Sequence, residues 1–185
     1  MKDINFNLLR DKAYEIAKNN GFHDEYCSDE HLLVLVISEL MEALEAYRKG
    51  NCLYENEDKY MDVQSKINDC YNNSEFKECF EEYIKDTFED ELADTVIRLL
   101  DTAGSNNINI DLYPVKSSIY KNKIPEYFYE VIKNMMYSYS WGQIINYTIK
   151  YILDLCKILD IDIAWHIKFK MNYNRLREYK HGKKF

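Results

Sequence analysis

Glu39 and Glu42 stand one helical turn apart inside the run Val34-Leu35-Val36-Ile37-Ser38-Glu39-Leu40-Met41-Glu42-Ala43-Leu44. Acids in so apolar a run are costly unless they are paired or bind a metal. A second pair with the same spacing, Glu91 and Asp94, opens the run Glu91-Leu92-Ala93-Asp94-Thr95-Val96-Ile97-Arg98-Leu99-Leu100-Asp101. At about 100° per residue, Glu91, Asp94, Arg98 and Asp101 fall within roughly 80° of one another on a helix. Leu92, Val96, Leu99, Leu100 and Ala103 occupy the opposite arc. A solvated face is the plain alternative for either stripe. Two helices that each present two carboxylates one turn apart can surround a hard cation with oxygen ligands. Mg²⁺ suits such a set, with Mn²⁺ as a substitute, because it takes oxygen ligands, keeps several waters and shares its sphere with phosphates.

The third constellation is basic. Lys170, Asn174, Arg177 and His181 sit at i, i+4, i+7 and i+11, one stripe if a last helix reaches that far. Lys and Arg there would neutralise phosphate oxygens, and Asn174 would add a neutral hydrogen bond. Carboxylates for a metal beside cations for phosphate is the logic of nucleotide hydrolysis. A solvated basic face is again the alternative.

The elements that must position these residues are helical. With five Gly and two Pro in 185 residues, there is little punctuation for many short strands. The periodicity predicts a first helix over 5–20, ended by Asn19-Asn20-Gly21, and a second over 29–49 behind the cap Ser28. Residues 51–73 read as a polar loop with a short helix around 60–70, and 75–103 as one helical stretch. Residues 108–113 read as extended. Further helices are expected over 127–139 and 141–159, then a last one capped by Asp160 or Asp162 and reaching about Tyr179. The expectation is an all-α helical bundle in a single domain, 1–185.

Net charge is −8, and the segment from Lys168 to Phe185 carries seven Lys/Arg against Glu178 alone. An acidic body with a basic end argues against long nucleic acid as the partner. No apolar run is long enough to cross a bilayer, so no membrane partner is expected. The N-terminus lacks the apolar stretch of a secretory signal. Five cysteines without a C-x-x-C pair read as reduced thiols of a cytoplasmic protein, not as a zinc site or disulfide framework. A di-iron carboxylate bundle needs Glu-x-x-His motifs from two helices, and Glu178–His181 is the one match. Neither G-x-S-x-G nor a Walker-type glycine loop is present. Phe22 and His23, just before the first acidic helix, are the best candidates to meet a base. Trp141 and Trp165 read as core, and Glu45 and Asp101 as outer partners of the acidic stripes or simply as solvated residues.

Taken together, Ser38-Glu39-Leu40-Met41-Glu42 and Glu91-Leu92-Ala93-Asp94 resemble the E-E-x-x-E … E-x-x-D signature of the MazG-like all-α nucleoside triphosphate pyrophosphohydrolases. The closing Lys170-Met171-Asn172-Tyr173-Asn174-Arg175-Leu176-Arg177 and His181-Gly182-Lys183-Lys184-Phe185 also resemble the C-terminus of many small members. The resemblance implies a helical bundle that forms a homodimer or homotetramer. It implies cleavage of a nucleoside triphosphate to monophosphate and pyrophosphate, for cleansing of the nucleotide pool. Glu39, Glu42, Glu91 and Asp94 would bind Mg²⁺, one of them also orienting or activating water. Lys170, Asn174 and Arg177 would hold phosphates, with Tyr173 and Lys183 as further candidates. Two features depart from the pattern: Ser38 stands at its first Glu, and 106–159 is extra, as in the larger dimeric dUTP and dCTP hydrolases. The reading from a different class is a non-catalytic helical module that binds nucleotides or a protein.

Overall fold

The computed structural model describes residues 4–112 and 123–182. Among them the chain is all-α, with no strand: α1 (Phe6–Asn19), α2 (Asp29–Arg48), α3 (Glu57–Asn68), α4 (Asn73–Tyr83), α5 (Phe88–Ser105), α6 (Ile124–Tyr137), α7 (Trp141–Leu159), α8 (Ile163–Arg175) and a 3₁₀ segment, Tyr179–Gly182. Seven of these helices start on a side-chain cap. Asn5, Ser28, Asn56, Asn72, Thr87, Ser140 and Asp162 each accept a hydrogen bond from the backbone N–H three residues on, an interaction worth about 1 kcal/mol apiece. The exception, α6, begins with Pro125 in its first turn, where the missing N–H costs nothing.

The expected helix over 75–103 is two helices. α4 ends at Tyr83, Asp86 takes a positive φ of 62°, and Thr87 restarts the chain as the cap of α5. Asn51 pins the break: its side chain donates to Asp86 O at 2.8 Å, and its carbonyl accepts from Phe88 N at 2.9 Å. Hydrophobic spacing runs through this corner without Gly or Pro, so periodicity alone does not reveal it. The last helix is also shorter than expected. α8 stops at Arg175, and the chain continues as a strap with Lys180 and His181 at positive φ.

α5 is the axis of the bundle, packed against α1, α2, α7 and α8. α6 lies on α2 and α7, so 124–159 belongs to the main core: Ile124, Phe128, Val131, Ile145, Ile149 and Ile152 are buried with Leu92, Val96 and Leu99 of α5. A second apolar cluster joins α3 and α4 to α8 through Phe76, Phe80, Phe169 and Tyr173. α1 and α5 meet at Gly104, where a Cβ would lie 2.5 Å from Tyr14 Cβ.

Twelve of the eighteen residues of α5 are buried. Asp94, Ile97, Arg98, Asp101 and Gly104 are half-open. Their spacing makes them one stripe, of which Asp94, Ile97, Arg98 and Asp101 form a wall of the main cavity. No helix among the described residues is long and apolar enough to cross a membrane. The five cysteines are free thiols.

Candidate metal centre

The central side chains come from two facing helices. Glu39 of α2 and Glu91 and Asp94 of α5 each offer a carboxylate oxygen, and these oxygens lie within 4.8 Å of one another. Glu39 and Glu91 are buried, each 4 % exposed, and Asp94 is half-open. Such close carboxylates repel one another and lose hydration, so their charged forms are disfavoured. Burial pushes the Glu91 carboxyl up to about 9, with Asp94 and Asp90 adding to the rise. Burial also raises Glu39, against the opposing pull of Arg98.

Two cations partly compensate. Arg98 Nε donates to Glu39 Oε1. Lys170 Nζ reaches Asp90 Oδ2 at 2.6 Å and Asp94 Oδ2 at 2.8 Å. These two carboxylates hold Lys170 protonated despite its burial, while burial drives Asp90 up to about 7. Four carboxylates (Glu39, Asp90, Glu91, Asp94) thus face two cations, which leaves two negative charges when all are ionised. An all-oxygen donor set with a deficit of two charges fits a hard divalent ion.

Glu39 and Asp94 of the trio, with Arg98 and Asp101, form one side of a cavity of about 830 Å³. Asn174, Arg177, Lys180 and His181 contribute to its lining from α8 and the strap. The strap is tied to the turn after α1. Lys180 N donates to Asn20 O at 2.8 Å, Tyr179 Oη to Asp24 at 2.7 Å, and Lys180 Nζ to Glu25 at 3.2 Å. Gly21 makes room for this contact: its φ is +81°, and a Cβ there would lie 2.0 Å from the Tyr179 ring. Asn174 Oδ1 is buried and takes no hydrogen bond from the described residues.

The predicted residues separate into three groups. Glu39, Glu91 and Asp94 converge, and Asn174 and Arg177 line the same cavity. Glu42 is exposed one turn along α2 and stands outside the trio. Ser38 turns its hydroxyl back to Leu35 O at 2.9 Å. Lys170 and Tyr173 are not placed as phosphate ligands. Lys170 is 4 % exposed and engaged by Asp90 and Asp94. Tyr173 is stacked on Phe80 at 4.5 Å, and its hydroxyl donates to Glu81 at 2.9 Å. The reason is rotation around α8: positions 169, 170 and 173 face α5 and α4, whereas 171 and 174 face the cavity. Lys183 lies outside the described residues.

Neither Asp90 nor Lys180 is read as a site residue from the sequence, and His23 and Asp101 are read there separately, not as a pair. Asp90 has a usable signal, since it precedes Asp94 by one turn and lies three residues after the cap Thr87. His23 Nε2 and Asp101 Oδ1 are 2.7 Å apart across 78 residues of chain, a contact no local pattern encodes. The hydrogen bond to Asp101 raises the His23 pKa. Compared with family models, curated proteins and solved structures, the chain shows no match.

Proposed function

We propose that this protein is a Mg²⁺-dependent pyrophosphohydrolase of (deoxy)nucleoside triphosphates, releasing monophosphate and pyrophosphate. One observation carries the reading. Three carboxylates from α2 and α5 converge, and two of them, Glu39 and Asp94, stand on the wall of a nucleotide-sized cavity that Arg177, Lys180 and His181 also line, with Glu91 buried beside them. The choice of the α–β bond and the membership of a MazG-like superfamily rest on the sequence resemblance.

Glu39, Glu91 and Asp94 would hold the ion. Bound there, Mg²⁺ supplies Lewis-acid polarisation of a phosphoryl oxygen and acidifies water. The chain's own residues do the rest. Arg177 and Lys180 neutralise the phosphate oxygens, and Asn174 orients them with its amide. Water adds to the α-phosphorus, the bond to the α–β bridging oxygen breaks, and pyrophosphate leaves. A carboxylate of the trio accepts the water's proton. Arg98 keeps Glu39 in place for this, and Lys170 does so for Asp94.

The test is product analysis with purified protein, Mg²⁺ or Mn²⁺, and a panel of nucleoside triphosphates. Monophosphate plus pyrophosphate is expected, with Glu39→Gln and Glu91→Gln each losing at least about a hundredfold in turnover, a fraction of the total acceleration enzymes achieve. Their helical circular dichroism should be unchanged. Near-wild-type turnover in both variants would refute the proposal.

A second reading has one observation in its favour. Arg98 and Lys170 already pair two of the three carboxylates, as in a purely structural ion-pair network of a non-catalytic nucleotide- or protein-binding module. Linkage separates the two, because an ion bound only by the folded state raises the melting temperature. At a hundredfold excess over its dissociation constant Mg²⁺ adds about 2.7 kcal/mol, or about 5–10 °C for a chain of this size. Glu91→Gln should abolish that shift, and a wild-type protein indifferent to Mg²⁺ and Mn²⁺ favours the structural reading.

A further inference from the structure

The half-open stripe of α5 runs on past the acid trio. Asp101 stands seven residues beyond Asp94, about 10 Å farther along the helix axis, and Ser105 and Asn106 follow, all three lining the same cavity. If phosphates lie between the trio and the strap, this end is where the chain from phosphate through sugar delivers a base. Its walls suit a flat ring, with Tyr14, Phe22, Leu32, Leu35 and Ile97 along them.

Asp101 presents an acceptor at this end, and Arg98, one turn nearer the trio, is turned to Glu39 through Nε. His23 holds Asp101 through Oδ1 at 2.7 Å, and among the described residues no donor reaches Asp101 Oδ2. Tyr14 meets the His23 ring edge-on at 4.8 Å and fixes its orientation. The Ser105 hydroxyl donates to Thr102 O at 3.0 Å. Asn106 Nδ2 donates to Thr102 O at 2.9 Å and to Ser105 Oγ at 3.1 Å. That turns Asn106 Oδ1 the other way, without a donor among the described residues.

From this arrangement we infer that the far end of the cavity selects a base carrying an exocyclic amino group, and that Asp101 is the residue that selects it. The inference rests on the cavity being a nucleotide site and names the substrate class. An amino group offers two N–H donors and no acceptor, as on cytosine N4 and adenine N6. It satisfies Asp101 Oδ2 with one proton and has the second for water at the open end of the cavity. Uracil, thymine or hypoxanthine would place a carbonyl oxygen there, lone pairs against a carboxylate. Both groups would then be desolvated and unpaired, which is the costly outcome. His23 is a positioning residue: its N–H on Oδ1 keeps the carboxylate an acceptor facing the cavity.

Titration calorimetry on the whole chain in Mg²⁺ tests this with two matched pairs of nucleotides, dCMP against dUMP and dAMP against dIMP. Within each pair the exchange is amino for carbonyl on the same ring, and the neighbouring ring nitrogen changes from an acceptor to an N–H donor. The amino member is expected to bind at least about tenfold tighter in both pairs. Asp101→Asn, which offers a donor and an acceptor, should reduce the preference to within about threefold while the helical circular dichroism and cooperative unfolding are retained. Equal or tighter binding of dUMP and dIMP overturns the inference, and so does absence of binding by all four. If Asp101→Asn does not fold, the wild-type pairs decide alone. Failure of the two readings is distinguishable. A preference in binding without any hydrolysis refutes the proposed activity and supports this inference. Hydrolysis that runs as well on dUTP as on dCTP refutes the inference and supports the activity.

Discussion

Replacing Lys170 by Met separates a structural lysine from a phosphate clamp. Lys170 Nζ lies 2.6 Å from Asp90 and 2.8 Å from Asp94, and its side chain is 4 % exposed. Asp90 is 1 % exposed, and one of its oxygens already lacks a partner. Met fills the same volume and keeps the contact with the Phe80 ring, 5.7 Å from Nζ, so the loss is the charge. What remains at Asp90 is one hydrogen bond from Asp86 N at 3.1 Å. Removing one partner of a buried pair leaves an uncompensated charge and costs about 3–5 kcal/mol. For a chain of this size that lowers the melting temperature by about 6–20 °C. Chemical denaturation and calorimetry at pH 7 measure it. Asp90→Asn on the Lys170→Met background should restore a large part of the loss, because the buried carboxylate is then gone as well. A Lys170→Met protein within about 1 kcal/mol of wild type, with a raised KM for nucleotide, would refute the reasoning and return Lys170 to the phosphates.

Three further outcomes follow from single contacts. Gly104→Ala puts a Cβ 2.5 Å from Tyr14 Cβ and 3.3 Å from Arg10 O, so α1 must move off α5. A net loss of about 1–2 kcal/mol is expected despite the better helix propensity of Ala, and an unchanged or higher melting temperature contradicts it. Gly21→Ala strains a φ of +81° and meets the Tyr179 ring. It should unseat the strap, seen as faster proteolysis after Leu176 and weaker nucleotide binding, whereas wild-type resistance would count against the strap contact. The His23–Asp101 pair gives a pH signature. Because Asp101 raises the His23 pKa above 6.5, the pair's stabilisation is complete below pH 6.5 and is lost as pH rises through the folded-state value. The stability difference between wild type and His23→Gln should therefore shrink on the alkaline side, and a difference that is flat from pH 6 to 9 would rule the pair out as its source.

How much was legible in the sequence depends on how local the signal is. Caps are local, so Ser28 and Asp162 marked helix starts that the structure contains. The break before α5 is also local but was masked. The apolar spacing of Phe76, Phe80, Ile84, Phe88 and Leu92 continues across it, and the decisive bond comes from Asn51, 35 residues away from Asp86. Thr87 followed three residues later by Asp90 was the available clue, a cap with an acid in the first turn. At the site, the i, i+3 acid pairs were visible because helical spacing reports a shared face. Which of two adjacent helical positions points into a cavity is a matter of some tens of degrees, and only packing sets it. That is why the expected basic stripe comes apart: Lys170 turns toward Asp90 and Asn174 toward the cavity, while Arg177 and His181 lie past the end of α8. His23 with Asp101, and Lys180 with Glu25, join segments 78 and 155 residues apart, where spacing carries no information.

Ser38 bears directly on how the centre is balanced. With its hydroxyl returned to Leu35 O, the position contributes no charge, and Glu39 is the α2 residue that meets α5. Asp90 adds a carboxylate from the other side, but Lys170 bonds it and Asp94 together. Asp90 stands outside the trio: its Oδ2 is taken up by Lys170 and the Asp86 N–H, and its buried Oδ1 has no partner among the described residues. Three oxygens then remain for a hard ion that favours six. The vacant positions would fall to water and to phosphate oxygens, which is how Mg²⁺ is commonly shared between protein and nucleotide. A fourth protein carboxylate in that sphere would have closed a position and added a charge that neither Arg98 nor Lys170 is placed to offset.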